Sequence, residues 1–275
     1  MKSKISEILT IVIVLGIFLT MALIFSFTGV KNLDYNYVKV EVNPKVEFVT
    51  TKHNRILTVY PINSEAKELL INEDFIGLNI KEGVTKFVDL CVQANYIDVE
   101  REDNAIKLTT VSGMAHVLEE DVYKCVKEYL LNNQIKSVVL EGSNDLEEFK
   151  SSKKLGVSVP KYALIESYVN LYGGSKESAT KLSEKQLIKQ IKIAHDENLP
   201  FLQNYTQNQI AEKTKLIDFN RAKLNNHKSK ISNKSISKFK DEYKQYVIRN
   251  QSGYEQNFDD SRTNWQKAKQ NSAIA

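Results

Sequence analysis

Cysteine, proline and glycine are all scarce, at 2, 4 and 10 in 275 residues. So little glycine and proline excludes a collagen-like or Pro-rich low-complexity chain. Two cysteines, Cys91 and Cys125, exclude a disulfide-stapled mini-domain and a four-thiolate zinc site. The four histidines (His53, His116, His195 and His227) never fall at a helical metal-ligand spacing such as H-x-x-x-H. No metal or cofactor site is legible. Nor is any pairing of a nucleophile with a base, so no turnover enzyme is expected. A large charge of one sign is lacking too, since 38 Lys/Arg against 34 Asp/Glu leaves a formal +4.

What the chain does have is one long apolar run. Residues 8–27 contain no charge, and at 1.5 Å per residue they extend about 30 Å, the thickness of a bilayer's hydrocarbon core. The run exceeds the h-region of a cleaved signal peptide, and no A-x-A-like site follows before Lys31. A retained transmembrane helix over 8–28 is expected. Lys2, Lys4 and the terminal amine on the short side place residues 1–7 in the cytoplasm and the bulk outside. The expected location is a single-pass cell-membrane protein with its mass extracytoplasmic.

Beyond the run, residues 35–50 alternate apolar and polar. Val38, Val40, Val42, Pro44, Val46 and Phe48 share one parity, and Lys39, Glu41, Asn43, Lys45 and Glu47 the other. That period predicts one half-buried strand. A turn at Lys52-His53-Asn54-Arg55 and a strand at 56–60 complete a hairpin. Asn63-Ser64 is placed to cap a helix over 65–70. Helices over 80–95 and 119–132 and strands over 105–111 and 136–141 follow. The order β-β-α-α-β-α-β over 34–142 predicts an α+β layer with helices on one face of a sheet. Helices over 144–154, 159–172 and 183–194 form an appendix (143–195), with a break at Gly173-Gly174 that lacks phosphate-loop spacing.

Residues 196–275 carry 14 Lys/Arg against 9 Asp/Glu, so the preceding 195 residues sum to −1. Nearly a quarter of this segment is Asn or Gln. Ile210, Ile217, Leu224 and Ile231 recur every seven residues without matching d positions, half of a coiled-coil pattern. Ile236, Phe239, Tyr243, Tyr246 and Val247 make a better helical stripe. The expectation is a basic, helical or partly disordered tail. A place outside the membrane argues against nucleic acid as its partner, and favours a cell-wall polymer, lipid headgroups, a protein partner or plain solvent.

The pair that stands out is Asn43-Pro44, inside an apparently regular strand. Proline removes a ladder donor and constrains the residue before it. One account is an edge strand blunted against aggregation. The other comes from a resemblance. The stretch Tyr37-Val38-Lys39-Val40-Glu41-Val42-Asn43-Pro44-Lys45-Val46-Glu47 resembles the strand motif of the extracytoplasmic middle domain of RsgI-type anti-sigma factors. The likeness continues through Asn63-Ser64-Glu65-Ala66-Lys67-Glu68-Leu69-Leu70, Gly77, the 80–95 helix and Tyr96-Ile97. It extends to Lys154-Leu155-Gly156-Val157-Ser158-Val159-Pro160-Lys161-Tyr162, covering about residues 35–175.

The resemblance implies a SEA-like domain in transmembrane signalling, some of whose relatives break their own Asn-Pro bond while the pieces stay paired. It implies Asn43 and Pro44 as the self-cleavage bond. The Asn43 side-chain nitrogen would attack its own carbonyl carbon, close a succinimide and expel the Pro44 nitrogen. Proximity, and strain stored in the backbone, would drive the step. Glu41 and Glu47, of Asn43's parity, are candidates to move a proton or are simply solvated. An intramembrane protease would be a partner for the membrane stub. Lys45 stands where the family usually has Ser, and the family's cytoplasmic anti-sigma domain is expected to be absent. Against these stands an uncleaved structural or adaptor protein whose tail engages the cell wall or a partner. Cys91 and Cys125 sit on helices that could pack together, and are expected as buried thiols or, alternatively, a disulfide.

Overall fold

A computed structural model describes residues 33–142, 146–231 and 236–250. Five strands, β1 (Tyr35–Glu41), β2 (Lys45–Thr51), β3 (Ile56–Pro61), β4 (Asn104–Val111) and β5 (Ser137–Glu141), form one sheet in the order β3-β2-β1-β4-β5. All neighbours are antiparallel except the parallel pair β4–β5. The helices are α1 (Ser64–Leu69), α2 (Ile80–Gln93), α3 (Ala115–Asn132), α4 (Leu146–Leu155), α5 (Val159–Tyr172), α6 (Lys176–Ala179), α7 (Glu184–Leu202) and α8 (Gln207–Ile231). A last helix, α9, covers 236–250.

The single strand expected over 35–50 is two strands. Glu41 pairs with Lys45, and Val42-Asn43-Pro44 is the connection between β1 and β2. The alternation runs unbroken through the turn because paired residues of an antiparallel ladder face the same way. Partners four residues apart have the same parity, so even numbers face one side in both strands. The edge-guard account of Pro44 falls with this. β1 is the central strand, and Pro44 stands in a hairpin turn.

On the even face Val38, Val40, Val46, Phe48, Ile106 and Leu108 pack against α1, α2 and α3 through Leu69, Phe87, Val88, Val122 and Val126. Two of these helices start at a side-chain cap. Asn63 caps α1 and Asn79 makes a capping box with Glu82 at α2. Cys91 is buried in this core and Cys125 half-buried, and both thiols are free. Cys125 Sγ donates to the Val122 carbonyl at 3.1 Å.

The odd face is covered as well, which corrects the expected one-sided layer. Tyr37, Val49 and Val111 pack against Leu164 and Ile165 of α5, Ala179 of α6 and Leu187, Ile188 and Ile191 of α7. Val138 and Leu140 of β5 pack against Phe239, Tyr243 and Tyr246 of α9. The appendix is therefore the third layer of a helix–sheet–helix sandwich. A strand pattern with a polar odd face reads as half-solvated, but here Lys39, Glu41 and Glu47 are buried and face partners of opposite charge or hydrogen-bonding sense.

The described part of the basic segment also docks. Lys213 of α8 donates to the Ile71 carbonyl at 2.5 Å and pairs with Glu73 at 2.9 Å, just past α1. Asn220 Nδ2 donates to the Val92 and Gln93 carbonyls at 2.9 and 3.1 Å, at the end of α2. His227 Nε2 lies 2.8 Å from the Asn133 carbonyl, at the end of α3. The last carbonyls of a helix have no partner within it and concentrate negative potential, so amide and cationic side chains are favoured there. α8 lies across three such ends, which is why its polar d-like positions do not make a coiled coil. Among the described residues no helix is long and apolar enough to cross a membrane. The expected span, 8–28, lies outside them.

Candidate functional site

The turn between β1 and β2 is held from three directions. Its own backbone closes it, with the Val42 N–H donating to the Pro44 carbonyl at 3.0 Å. An ion pair closes the ladder below, Lys45 Nζ to Glu41 Oε1 at 2.8 Å. The third hold comes from Asn63, at the start of α1. Its Oδ1 accepts from the Lys45 N–H at 3.0 Å and from the Ala66 N–H at 3.2 Å, and its Nδ2 donates to the Asn43 carbonyl oxygen. One side chain thus grips the chain on both sides of the Asn43–Pro44 bond. Next to it the Ile62 N–H donates to the Lys45 carbonyl at 2.8 Å, continuing the β2–β3 pairing.

Asn43 itself is buried, 4% exposed. Its Nδ2 has no hydrogen-bond partner among the described residues. A buried amide without a partner forgoes its hydration, a cost of about 1–3 kcal/mol that most proteins avoid. Asn43 does not have the left-handed φ that marks Asn54, Asn72 and Asn95. The strain expected of the pair is therefore not of that kind, and the unusual feature is the unpaired amide.

Glu41 is not solvated. It is buried, with Oε2 lying 3.2 Å from Lys39 Nζ and 3.6 Å from Lys107 Nζ, while Oε1 takes Lys45. Lys107 also meets Glu148 of α4 at 2.6 Å. Burial alone would raise the Glu41 carboxyl, but Lys39, Lys107 and Lys45 outweigh it and hold the group well below the usual carboxylate range. Such a carboxylate is a poor base. Burial would lower the Lys39 ammonium, and Glu41 and Glu148 reverse this and raise it. For Glu148 burial prevails over Lys107, and its carboxyl is raised.

Glu47 is committed elsewhere. Its Oε1 accepts from the Tyr37 hydroxyl at 2.8 Å, and its Oε2 accepts from Ser167 Oγ at 2.7 Å and faces His195 Nε2 at 3.1 Å. Behind His195, Nδ1 lies 3.1 Å from Thr58 Oγ1, and the ring stacks on Tyr60 with centroids 4.5 Å apart. Burial pushes the Glu47 carboxyl up, and His195 and Ser167 bring it below its ordinary value. The Tyr37 hydroxyl is pushed well up, by burial first and then by the charge of Glu47. This network fastens α5 and α7 to β2.

Asn43 and Pro44 are thus together in one turn, while Glu41 and Glu47 each hold their own set of partners. Asn63 was legible as a helix cap but not as a contact of Asn43, which lies 20 residues earlier. Lys107, Glu148, Ser167 and His195 had no signal, because charged and polar residues in amphipathic segments read as surface.

Residues 35–167 match the family described as anti-sigma factor RsgI-like central domain. The match ends at Ser167, within α5. Anti-sigma-I factor RsgI7 of Acetivibrio thermocellus is 33% identical over 138 residues, 49% of this chain and 25% of the relative. RsgI6 of the same organism is 28% identical over 191 residues, 63% of this chain and 24% of the relative. RsgI5, also of that organism, is 22% identical over 178 residues, 60% of this chain and 37% of the relative. The matched part spans 24% to 37% of these relatives' own length.

Proposed function

Since residues 35–167 are an RsgI-like central domain, we propose that the chain is a membrane-anchored signalling protein whose domain breaks its own Asn43–Pro44 bond and keeps the two pieces assembled. One observation carries the reading. The Asn43 side-chain nitrogen is buried without a hydrogen-bond partner among the described residues, next to a carbonyl that another side chain already polarises. A free Nδ2 on the same residue as the scissile carbonyl makes attack intramolecular, which supplies a large effective concentration.

The bond from Asn43 Nδ2 to its own carbonyl carbon forms, and the bond from that carbon to the Pro44 nitrogen breaks. A proton released by Nδ2 passes to the proline nitrogen. The first fragment ends in a succinimide, lighter by one water than the free acid, and the second begins with a prolyl amine. No oxidant or cofactor enters.

The fold supports retention of the pieces. The first fragment would keep β1, the central strand, which has seven register pairs with β2 and five with β4. Its residues from Asn36 to Asn43 are buried, with helices over both faces. A nick in the turn removes no ladder bond. In this reading residues 8–28 hold the first fragment in the membrane with residues 1–7 in the cytoplasm. Separation of the second fragment, through a wall polymer or protein acting on the C-terminal segment, then leaves a short stub for an intramembrane protease.

The test is the intact mass of the full chain purified in detergent, beside Asn43→Ala. Cleavage gives two masses dividing at Asn43/Pro44 under denaturing conditions, the first short of a water, and one particle under native conditions. A single unbroken mass after long incubation overturns it and leaves an uncleaved adaptor with a proline turn.

A further inference from the structure

We infer that the side-chain amide of Asn63 is a catalytic group, the hydrogen-bond donor that stabilises negative charge on the Asn43 carbonyl oxygen while the bond to Pro44 breaks. The inference rests on the self-cleavage reading and assigns it a second residue.

The orientation of the Asn63 amide is dictated by its surroundings. Two backbone donors, the N–H groups of Lys45 and Ala66, converge on one of its terminal atoms at 3.0 and 3.2 Å. Only the oxygen can accept both, so the nitrogen must be the atom facing the Asn43 carbonyl. A flipped amide would lose both bonds and set an oxygen against an oxygen. The backbone of Asn63 is fixed in its turn. It is the N-cap of α1, with φ −132° and ψ 170°, and α1 buries Ala66 and Leu69 in the core.

When Asn43 Nδ2 attacks, the carbonyl carbon becomes tetrahedral and its oxygen takes up negative charge. A donor already aimed at that oxygen, in a partly buried site, needs no reorganisation to stabilise it, and removal of one such donor costs about 10²–10³ in rate. The same side chain acts on the departing half. By accepting from the Lys45 N–H it fixes the residue after Pro44, so attacked carbon and leaving nitrogen stay in register as the bond lengthens. Asn63 takes no proton and forms no covalent bond; it donates to the oxygen and holds the Lys45 N–H.

Asn63→Asp separates donor from cap. Aspartate accepts from Ala66 and Lys45 as asparagine does and is an equally good N-cap, but it has no N–H for Asn43. Asn63→Ser is the second variant, retaining a capping hydroxyl on a side chain too short for Asn43 and placing no charge there. The experiment follows fragment appearance in the full chain after synthesis in detergent. Each variant is also made with Asn43→Ala, and its thermal unfolding is recorded to show that it folds.

The expected result is folding in both variants and cleavage about 100-fold slower than in the parent. Parental cleavage rates in the folded variants overturn the assignment of Asn63 and leave self-cleavage standing. No cleavage in the parent itself overturns both.

Discussion

Glu47 of β2 and His195 of α7 meet at 3.1 Å in the interior although 148 residues separate them in the chain. Tyr37 and Ser167 complete the shell of the carboxylate, and Thr58 and Tyr60 that of the imidazole. With Nε2 toward a carboxylate, Nε2 carries the proton. These contacts hold the second helical layer to the strand that begins beside the proposed cleavage bond.

His195→Ala should therefore destabilise the chain by about 2–4 kcal/mol, from a lost bond to a buried carboxylate and the cavity left beside Tyr60. The measurement is urea unfolding in an Asn43→Ala background, so that every molecule is one chain. A midpoint unchanged from the parent would show that the network contributes nothing.

Glu41→Gln removes the carboxylate shared by Lys39, Lys45 and Lys107. Leaving buried cations with less compensation costs about 3–5 kcal/mol. Because the groups are screened from solvent, raising the salt concentration should recover little of this loss. Full recovery at high salt would mean that the cluster behaves as a surface array.

Acid should unfold the domain in a defined direction. Glu41 and Glu47 have folded pKa values below their unfolded ones, so the unfolded state binds more protons at low pH. Their stabilisation is present above the ordinary carboxylate value of about 4.3 and is lost as pH falls below it. Glu148, with a raised pKa, acts in the opposite sense and offsets part of the loss on protonation. Urea midpoints taken from pH 7 downward should hold until about pH 4.5 and then fall. In Glu41→Gln the fall should be shallower, and an equal slope in that variant would contradict the assignment.

Asn220→Ala strips α8 of its hold on the last carbonyls of α2. The expected cost is about 1–3 kcal/mol. Because α8 contributes few apolar contacts, chiefly Leu216 and Leu224, the loss should be local. Hydrogen exchange of α8 amides should quicken while β1 and β4 stay protected. Uniform acceleration across the sheet would show instead that α8 is an integral part of the cooperative unit.

Local signals were the legible ones. The Lys52–Arg55 turn, the α1 cap at Asn63, and the strands and helices between residues 80 and 141 all follow from periods and caps within a few residues. Pro44 and its turn were misread because a three-residue connection preserves parity, so a hairpin and a straight strand give the same alternation. The odd face was misread because Lys39, Glu41 and Glu47 look solvated by type, and only their partners on β4, α4, α5 and α7 make burial affordable.

The sequence by itself determined the element order, the caps, the apolar face of the sheet, and the Asn43-Pro44 pair with its chemical resources. Each of these is a property of neighbours along the chain. Tertiary structure decided that β1 is central, that helices cover both faces, and that α8 closes the ends of three helices. It also decided that Asn63 reaches the Asn43 carbonyl while the Asn43 Nδ2 has no hydrogen-bond partner among the described residues. Those facts depend on groups 20 to 148 residues apart being brought within hydrogen-bond reach, and no local pattern encodes which of many polar side chains will meet.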